Sequence, residues 1–236
     1  MNIEYRIGLM VPSSDITIEK DFCTYLPPEI SFHVTRMPLG EVTPEKLTQM
    51  AEKCPEYAKL LADVEPELIV YGCTSGSFIG GKDYDEQLEK KISETVNVPV
   101  ITTAHAVVDC LQALNKFPIV LLTPYTEDIN KTEVIFFEEN NLPVIAHHGM
   151  GIIKDLEIGK VLPEDIYNFV VEKDEEKAKS VFVSCTNLRV LNVLTRLRKT
   201  LNKPIVTSNL ASMWAVCQYL MVRMKADIFQ DLYSIK

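Results

Sequence analysis

The stretch Leu68-Ile69-Val70-Tyr71-Gly72-Cys73-Thr74-Ser75-Gly76-Ser77 decides the fold. Its apolar first part, with the β-branched residues Ile69 and Val70, is typical of a buried strand. Its second part places a thiol and several hydroxyls directly after Gly72. Polar side chains at such a strand end lie in the crevice at the carboxyl edge of a parallel sheet, where α/β proteins bind their ligands.

The same pattern occurs a second time, as Val181-Phe182-Val183-Ser184-Cys185-Thr186-Asn187. Cys185 follows Cys73 by 112 positions (185 − 73), and Pro124 follows Pro12 by the same interval (124 − 12). A constant interval between similar motifs indicates an internal duplication, in which each copy forms the same supersecondary structure.

Predicted strands alternate with predicted helices along the chain, as in parallel βαβ units. The interval falls to 105 (202 − 97) between 97–102 and 202–207, which indicates a deletion in the second copy. The predicted fold class is α/β, with two pseudo-symmetric, doubly wound (Rossmann-like) parallel-sheet lobes. The lobes are predicted over 1–115 and 116–236, with the active site in the cleft between them, and the last helix, 210–224, could pack back on the first lobe.

Apolar periodicity predicts one continuous helix over Pro44–Asp63, with Leu60 and Leu61 on its apolar side. A second helix is predicted over Leu188–Leu201, soon after Cys185, and 204–209 is predicted to run as a strand into the last helix. Helix N-termini favour the thiolate form of cysteine, so we expect lowered pKa values for the thiols at both strand ends.

Composition excludes several classes of function. The chain has 236 residues and a formal net charge of -9, without a basic cluster, which argues against nucleic-acid binding. No stretch approaches the about 20 apolar residues of a membrane span, and the first residues lack a signal-peptide pattern, so we expect a cytoplasmic protein without membrane contact. The six cysteines form no CxxC pair and the four histidines lie at no zinc-ligand spacing, so we expect reduced thiols and no metal.

Cys73 and Cys185 are the predicted catalytic residues. The other four cysteines lie in helical patterns and are assigned to the core, because free cysteine is commonly buried. Two thiols that face each other across a small substrate can remove a proton on one side and deliver one on the other. They can equally add a thiolate to an activated carbon while the partner thiol acts as acid. Neither chemistry requires a metal or an organic cofactor.

Polar residues at equivalent strand ends are predicted to bind a small carboxylate substrate and to stabilise an enolate-like intermediate. These residues are Ser13, Ser14, Asp15, Thr74, Ser75, Thr123, Tyr125, Thr186 and Asn187. The stretch 13–15 could instead cap the first helix, and Tyr125 could be a wall residue with its hydroxyl in water.

Four motifs occur in order along the chain: Val11-Pro12-Ser13-Ser14, Tyr71-Gly72-Cys73-Thr74-Ser75-Gly76-Ser77, Thr123-Pro124-Tyr125 and Ser184-Cys185-Thr186-Asn187-Leu188-Arg189. Together they resemble the aspartate/glutamate racemase superfamily, in particular its branch with maleate cis-trans isomerase, arylmalonate decarboxylase and the ectoine-utilisation protein EutA. The resemblance spans about Arg6 to Met224 and implies cofactor-independent chemistry at a carbon next to a carboxylate. It also implies that Cys73 is a nucleophile, that Cys185 assists as acid or base, and that Tyr125 helps to hold a carboxylate.

The resemblance also limits the reaction. Arylmalonate decarboxylases keep only the second cysteine, so the presence of Cys73 argues against decarboxylation. The family's first motif usually continues with an asparagine that contacts substrate, whereas this chain has Asp15, and Asp155 falls near a second family asparagine. If Asp15 faces the ligand, like charge disfavours a dianion and favours a ligand with an amine or a single carboxylate. Dimers often complete such clefts in the family, so a homodimer or higher homo-oligomer is compatible with this resemblance.

The leading hypothesis is therefore a cofactor-independent isomerase of a small carboxylic acid, similar to maleate cis-trans isomerase. The first alternative is an amino-acid or hydantoin-type racemase that uses the same two cysteines as bases. The second alternative is a non-catalytic protein that binds small carboxylates.

Overall fold

The structure, a computed structural model, describes residues 5–224 and 227–232. The outer ends of the two predicted lobes, 1–4 and 233–236, lie outside the described residues, as do 225–226. The described chain forms two sheets of four strands, and all strand pairs within these sheets are parallel. Helices flank both sheets.

The elements of the first half are, in chain order, β1 (Tyr5–Pro12), α1 (Ile18–Tyr25), β2 (Ile30–Met37), α2 (Pro44–Glu52), α3 (Cys54–Ala62), β3 (Leu68–Tyr71), α4 (Thr74–Phe78), α5 (Tyr84–Val96), β4 (Val100–Thr102) and α6 (Thr103–Leu114). Those of the second half are β5 (Ile119–Thr123), α7 (Glu127–Glu139), β6 (Val144–Gly149), α8 (Asp155–Lys160), α9 (Pro163–Lys173), β7 (Ser180–Val183), a 3-10 helix (Val190–Asn192), α10 (Leu194–Leu201), β8 (Ile205–Thr207), α11 (Ser208–Tyr219) and a second 3-10 helix (Asp227–Leu232). No helix within these ranges is long and apolar enough to cross a membrane.

The two sheets have the same topology, with strand orders β2-β1-β3-β4 and β6-β5-β7-β8. β3 and β7 take the same inner position, and all their residues are buried, as their apolar sequences require. β7 begins 112 residues after β3 (180 − 68), and β8 begins 105 residues after β4 (205 − 100). The intervals between the sequence motifs are therefore those between equivalent strands, and the predicted α/β class with two similar parallel-sheet lobes is confirmed.

The two halves contact each other at several places, two of which lie outside the cysteine loops. α11 packs against α6, and the Ser212 hydroxyl in α11 donates to Thr103 Oγ1 at 3.2 Å. Elsewhere, the backbone segments 40–42 and 153–155 pair across the halves, with N–H···O distances of 2.7 Å and 3.1 Å. Strand ends from the two halves are thereby held next to each other.

The single helix predicted over Pro44–Asp63 is wrong, because α2 and α3 are separated at Lys53. Pro55 has no N–H to donate to the carbonyl four residues earlier, so a continuous helix loses a hydrogen bond at this point. The chain restarts as a new helix, and its buried face excludes Leu60, which is 67% exposed rather than apolar-side as predicted.

The helix predicted over Leu188–Leu201 begins later than expected. The residues after Cys185 form a turn and a 3-10 helix, and α10 starts only at Leu194. Cys185 has a φ of +96°, a conformation outside the right-handed helical region, and Asn187 is held by contacts to the other half described below. These constraints prevent a helix from starting directly after the thiol.

Equivalent threonines cap α6 and α11. The Oγ1 atoms of Thr102 and Thr207 each accept from the backbone N–H three residues ahead, at 3.2 Å and 3.1 Å. A strand was predicted over 204–209, but the strand in the structure ends at Thr207. The last two residues of the predicted stretch, Ser208 and Asn209, form the first turn of α11 and point their side chains toward the Cys185 loop.

Candidate active site

Cys73 is separated from the end of β3 by Gly72 alone and is 4% exposed. Its backbone is extended, and it is the N-cap residue of α4. The sulfur lies 3.9 Å from the Ser75 hydroxyl oxygen and receives a hydrogen bond from the Gly76 N–H. A Cβ at Gly76 would lie 3.1 Å from this sulfur, so the glycine leaves room for the thiol.

Cys185 follows β7 and is equally buried, at 5% exposure. Its positive φ places it in the left-handed region, which non-glycine residues adopt rarely and at a cost. Its N–H donates to the Ser208 hydroxyl oxygen at 3.0 Å, and the Tyr125 hydroxyl and the Asn187 N–H approach its sulfur and lower the pKa of the thiol. Tyr125 is itself 1% exposed, so the phenol and the thiol share a dry environment.

Ser208 links the two cysteine loops. Its oxygen accepts from the Cys185 N–H. It also accepts, at 2.8 Å, from the hydroxyl of Thr74, the residue that follows Cys73. Sequence reasoning missed this serine, because it lay in a stretch predicted as a strand. The available signal was the 105-residue interval (208 − 103), which pairs Ser208 with Thr103, another hydroxyl that bonds a strand end.

Burial dominates the electrostatics of both thiols. It raises the pKa of Cys73 to about 12 and the pKa of Cys185 well above its usual value, and Asp155 and Asp15 add to both increases. The Gly76 N–H and the Tyr125 hydroxyl act in the opposite direction. The expected lowering by helix N-termini is not found, since α4 has only 5 residues and no α-helix starts directly after Cys185.

Asp15 lies at the N-terminus of α1 and is 1% exposed. Its Oδ1 accepts from the N–H groups of Thr17 and Ile18, at 2.8 Å and 3.0 Å, so this oxygen has the predicted capping contacts. Its Oδ2 is buried and has no partner of hydrogen-bond geometry among the described residues. Burial and, to a smaller extent, Asp155 raise the pKa of this carboxyl to about 7, while the N–H groups of Ile18 and Thr17 and the approaching Thr186 hydroxyl oppose the rise.

Asp155 is the first residue of α8 and is also buried. Its Oδ2 accepts from the Ser14 hydroxyl at 2.6 Å and from the Asn187 amide at 3.1 Å. The Asn187 amide also donates to the Asp155 carbonyl at 2.8 Å, while its oxygen accepts from the Ile16 N–H at 2.9 Å. Asn187 is thus a brace between the halves, and burial raises the pKa of the carboxyl that it contacts.

Ser13 and Thr123 have other surroundings. Ser13 is exposed and lines a pocket of about 480 Å³ together with Lys46 and Lys53. The Thr123 hydroxyl donates to the side-chain oxygen of Asn130 and accepts from the Tyr125 N–H at 3.0 Å. Thr123 therefore shapes its own loop, and the predicted substrate-binding residues are not one continuous lining.

Two buried carboxyl groups support the cysteine loops, and sequence reasoning missed both. Glu133 in α7 accepts from the Ser184 hydroxyl at 2.6 Å, and burial raises its pKa to about 8. Its equivalent, 112 residues earlier (133 − 21), is Asp21 in α1. Asp21 accepts from the Asn209 amide at 2.7 Å, and burial raises its pKa to about 6. The shared interval was the signal that could have found this pair.

The site therefore combines two buried thiols, the phenol of Tyr125, the carboxyl groups of Asp15 and Asp155, and several hydroxyls. Such a set can transfer protons and can add a thiolate to an activated carbon. Within 5–224 and 227–232, no three His, Cys, Asp or Glu side chains are arranged to hold a metal ion.

Two similar α/β halves, each with a thiol at the same strand end, are typical of proteins with an internal duplication, and here the candidate site lies where the halves meet. A sequence model of the family Amdase, arylmalonate decarboxylase, matches residues 7–231. The chain belongs to this family.

Individual relatives agree over nearly the full length. The maleate isomerase of Alcaligenes faecalis is 27% identical over 230 residues, which cover 92% of this chain and 90% of the relative. A cysteine-to-alanine variant of the maleate isomerase Iso from Pseudomonas putida, solved with maleate, is similar with a TM-score of 0.91 at 22% identity and 95% coverage of each chain. A cysteine-to-serine mutant of the Nocardia farcinica maleate cis-trans isomerase, with a covalently bound succinylcysteine intermediate, gives 0.88 at 24% identity, covering 92% of this chain and 93% of that one. The resemblance that the four motifs indicated is confirmed.

Proposed function

We propose that this protein is a cofactor-independent isomerase of a small carboxylic acid that acts through Cys73 and Cys185. The observation that carries the proposal is the pair of equivalent buried thiols, on loops that share Ser208 as a hydrogen-bond acceptor. The maleate isomerases among the relatives support cis-trans isomerisation of a maleate-type acid as the reaction. The succinylcysteine of the Nocardia farcinica mutant supports a covalent route.

In this route the Cys73 thiol first loses its proton to solvent, and the thiolate, which the Gly76 N–H stabilises, attacks one alkene carbon. A C–S bond forms, and the π electrons move to the neighbouring carbon, next to the carboxylate. The Cys185 thiol protonates that carbon, which leaves a C–C single bond free to rotate. The Cys185 thiolate then removes the proton, the double bond re-forms, and the C–S bond breaks to return the Cys73 thiolate. All atoms and charges are restored, so the cycle consumes no co-reactant.

The surroundings of the thiols favour these separate roles. The Gly76 N–H on the Cys73 sulfur stabilises negative charge, as a nucleophile needs. The Tyr125 hydroxyl on the Cys185 sulfur stabilises the thiolate left after proton donation. We assign Ser75, Thr186 and Tyr125 to contacts with the substrate. Ser14, Thr74, Thr123 and Asn187 hold the loops that carry them.

Racemisation at the carbon next to a carboxylate is the second candidate function. The two thiols would act as alternating bases on opposite faces of that carbon. The observation that favours it is the presence of Asp15 and Asp155 near both sulfurs, since carboxyl groups suit a substrate that carries an amine.

Two assays test the proposed function. Maleate is incubated with the protein and fumarate is followed by proton NMR, while candidate α-substituted acids are incubated in D₂O and deuterium wash-in at the α-carbon is followed. Cys73→Ala and Cys185→Ala should each lower the detected rate by at least about 10²-fold, the lower range for loss of a positioned acid or base. Cys217→Ala, which removes a buried cysteine in α11, serves as the control. The thiol mechanism is wrong if both variants retain the wild-type rate.

A further inference from the structure

The candidate site contains two buried carboxyl groups, Asp15 and Asp155, whose negative charge would disfavour a dicarboxylate ligand. Asp15 and Asp155 are 1% and 3% exposed, and both act electrostatically on both sulfurs. Asp155 has hydrogen-bond donors for its Oδ2, but Asp15 has one buried oxygen without a partner among the described residues. A buried acceptor without a partner costs free energy unless something else donates to it.

Protein cations near these carboxyl groups are engaged elsewhere. Arg36 donates to the backbone carbonyls of Ser13 and Asp15, both at 3.0 Å, and its guanidinium pairs with Glu19 rather than with the Asp15 carboxylate. Arg189 donates to two backbone carbonyls at the end of α8. The donors on Asp155 are the neutral side chains of Ser14 and Asn187. The two carboxyl groups therefore lack a counterion from these arginines.

We propose that Asp15 and Asp155 form a subsite for a protonated amine, so that the substrate is a small acid with one carboxylate and one amino group. The inference rests on the proposed thiol chemistry and, among small carboxylic acids, favours an amino acid over maleate as the substrate. A cationic N–H group supplies the missing donor to Asp15 Oδ2 and compensates the negative charge of the pair. A second carboxylate in the same position would be repelled, which gives selection against dicarboxylates.

The charges of the neighbouring pocket agree with a substrate whose carboxylate lies toward the lysines while its amino end lies at the aspartates. Lys46 and Lys53 line the pocket of about 480 Å³ next to Ser13, so positive charge lies there. Met50 lines the same pocket, and a Cβ built on Gly76 would lie 2.9 Å from its methyl group and 3.1 Å from the Cys73 sulfur. The pocket therefore adjoins the thiol site through Met50. A molecule with a positive and a negative end is oriented by lysines on one side and aspartates on the other.

The test compares three probes: maleate, alanine of either configuration, and 4-aminobut-2-enoate, which combines an alkene acid with an amine. Turnover is followed by NMR in D₂O, and binding is followed by the ligand-induced shift of Tm, which requires no turnover. The wild type should bind or convert an amine-bearing probe at least 10-fold better than maleate. Asp15→Asn keeps the capping oxygen of Asp15 but loses its charge, and should move this preference at least 10-fold toward maleate.

Two further variants make the result specific. Asp155→Asn should move the preference in the same direction as Asp15→Asn. Asp21→Asn removes a buried carboxylate that contacts Asn209, and should leave the preference unchanged. Because the readout is a ratio between probes, partial misfolding of a variant does not imitate the effect.

The inference and the proposed function fail in different ways. If maleate is bound or converted better than both amine-bearing probes, or if neither aspartate variant moves the ratio, the amine subsite is wrong while cysteine-dependent turnover still supports the isomerase. Absence of any Tm shift with the amine-bearing probes also overturns the subsite. Turnover that survives in Cys73→Ala and Cys185→Ala overturns the thiol mechanism, whatever the ratio between probes.

Discussion

The loops that carry Cys73 and Cys185 occupy the same position in two sheets of the same strand order, yet their surroundings differ. Cys73 is extended and starts a short helix, whereas Cys185 has a φ of +96° and is followed by a turn. A backbone N–H reaches the first sulfur, from Gly76, and a phenol reaches the second, from Tyr125. Duplication preserved the place of the thiol and changed what stabilises it.

This difference shows how one fold can give two identical side chains different tasks. A fixed backbone donor favours the charged form without exchanging a proton. A phenol hydroxyl can stabilise a thiolate and also shares a proton with it. We therefore expect Cys73 to be the better nucleophile and Cys185 the better proton donor, and the following variants test this distinction.

The largest effect is expected from serine substitutions of the two thiols. Cys185→Ser should lower turnover by about 10³-fold or more and leave a covalent substrate adduct on Cys73, because a proton from water completes the adduct and no thiolate then removes it. Cys73→Ser should lower turnover equally without an adduct on Cys185. Peptide mass spectrometry after incubation with substrate locates the adduct, with Cys217→Ser as the control. An adduct on Cys185 would reverse the assigned roles.

The next effect concerns the carboxyl group beneath the Cys185 loop. Burial raises the pKa of Glu133 from 4.5 to about 8, so the folded state holds its proton more tightly than the unfolded state. This contribution is complete below pH 4.5 and is lost as the pH rises through 8. Glu133→Gln should match the wild type at acidic pH and exceed its free energy of unfolding by a few kcal/mol near pH 9, since each pKa unit corresponds to about 1.4 kcal/mol.

Urea unfolding at several pH values measures this difference. Glu138→Gln changes an exposed glutamate on the same helix and should keep the wild-type pH dependence. Equal slopes for Glu133→Gln and the wild type would show that Glu133 is ionised in the folded protein. In the first half, Asp21 has a pKa of about 6, so Asp21→Asn should show the same trend over a narrower pH range.

A smaller effect is expected at the residue that links the loops. Ser208→Ala leaves the Cys185 N–H and the Thr74 hydroxyl without their shared acceptor, so kcat should fall by about 10- to 100-fold, the scale of one lost buried hydrogen bond or two. KM should change less, because Ser208 holds the loops and is not assigned to a substrate contact. Ser208→Thr keeps the hydroxyl and should restore part of kcat.

Ser212→Ala, one turn later in α11, is the matched control for Ser208→Ala, since its hydroxyl bonds only Thr103 among the contacts described above. If both alanine variants lower kcat alike, the effect comes from the packing of α6 on α11 rather than from the cysteine loops.

The smallest effect on rate is expected from Tyr125→Phe, with a loss of about 10-fold or less. The shift of the pH–rate profile is more informative than the loss of rate. The phenol lowers the pKa of Cys185, so its removal should raise that pKa and move the alkaline limb of the rate profile to higher pH. Tyr71→Phe removes a buried hydroxyl near Cys73 that has no partner among the described residues, and should leave this limb in place. A shift in both variants would mean that the limb does not report Cys185.

Much of the fold could be predicted from the sequence because its signals are local. The inner strands β3 and β7 are short apolar runs that end in glycine or serine before a cysteine, and the two intervals place them in equivalent positions. Cys73 and Cys185 were identified as candidates by the same local pattern, and the prediction that they are catalytic stays a prediction. The break at Lys53 was also a local signal, in Pro55, but the apolar pattern around it was interpreted as one helix.

The contacts that support the site could not be predicted in this way. Thr74 and Ser208 are separated by 134 residues, and Asn187 and Ile16 by 171. Their hydrogen bonds depend on how the two halves meet, which no local pattern specifies. The prediction of lowered thiol pKa values was wrong for a related reason. The sequence indicated a helix N-terminus after each cysteine, but it did not show the burial that raises both pKa values.

At Cys185, the left-handed backbone and the proposed chemistry favour different side chains. A non-glycine residue in this region costs on the order of 1 kcal/mol or more. Cys185→Gly would remove this strain but would also delete the thiol and the packing of a buried side chain. The backbone at this position therefore favours glycine, whereas the proposed chemistry requires sulfur.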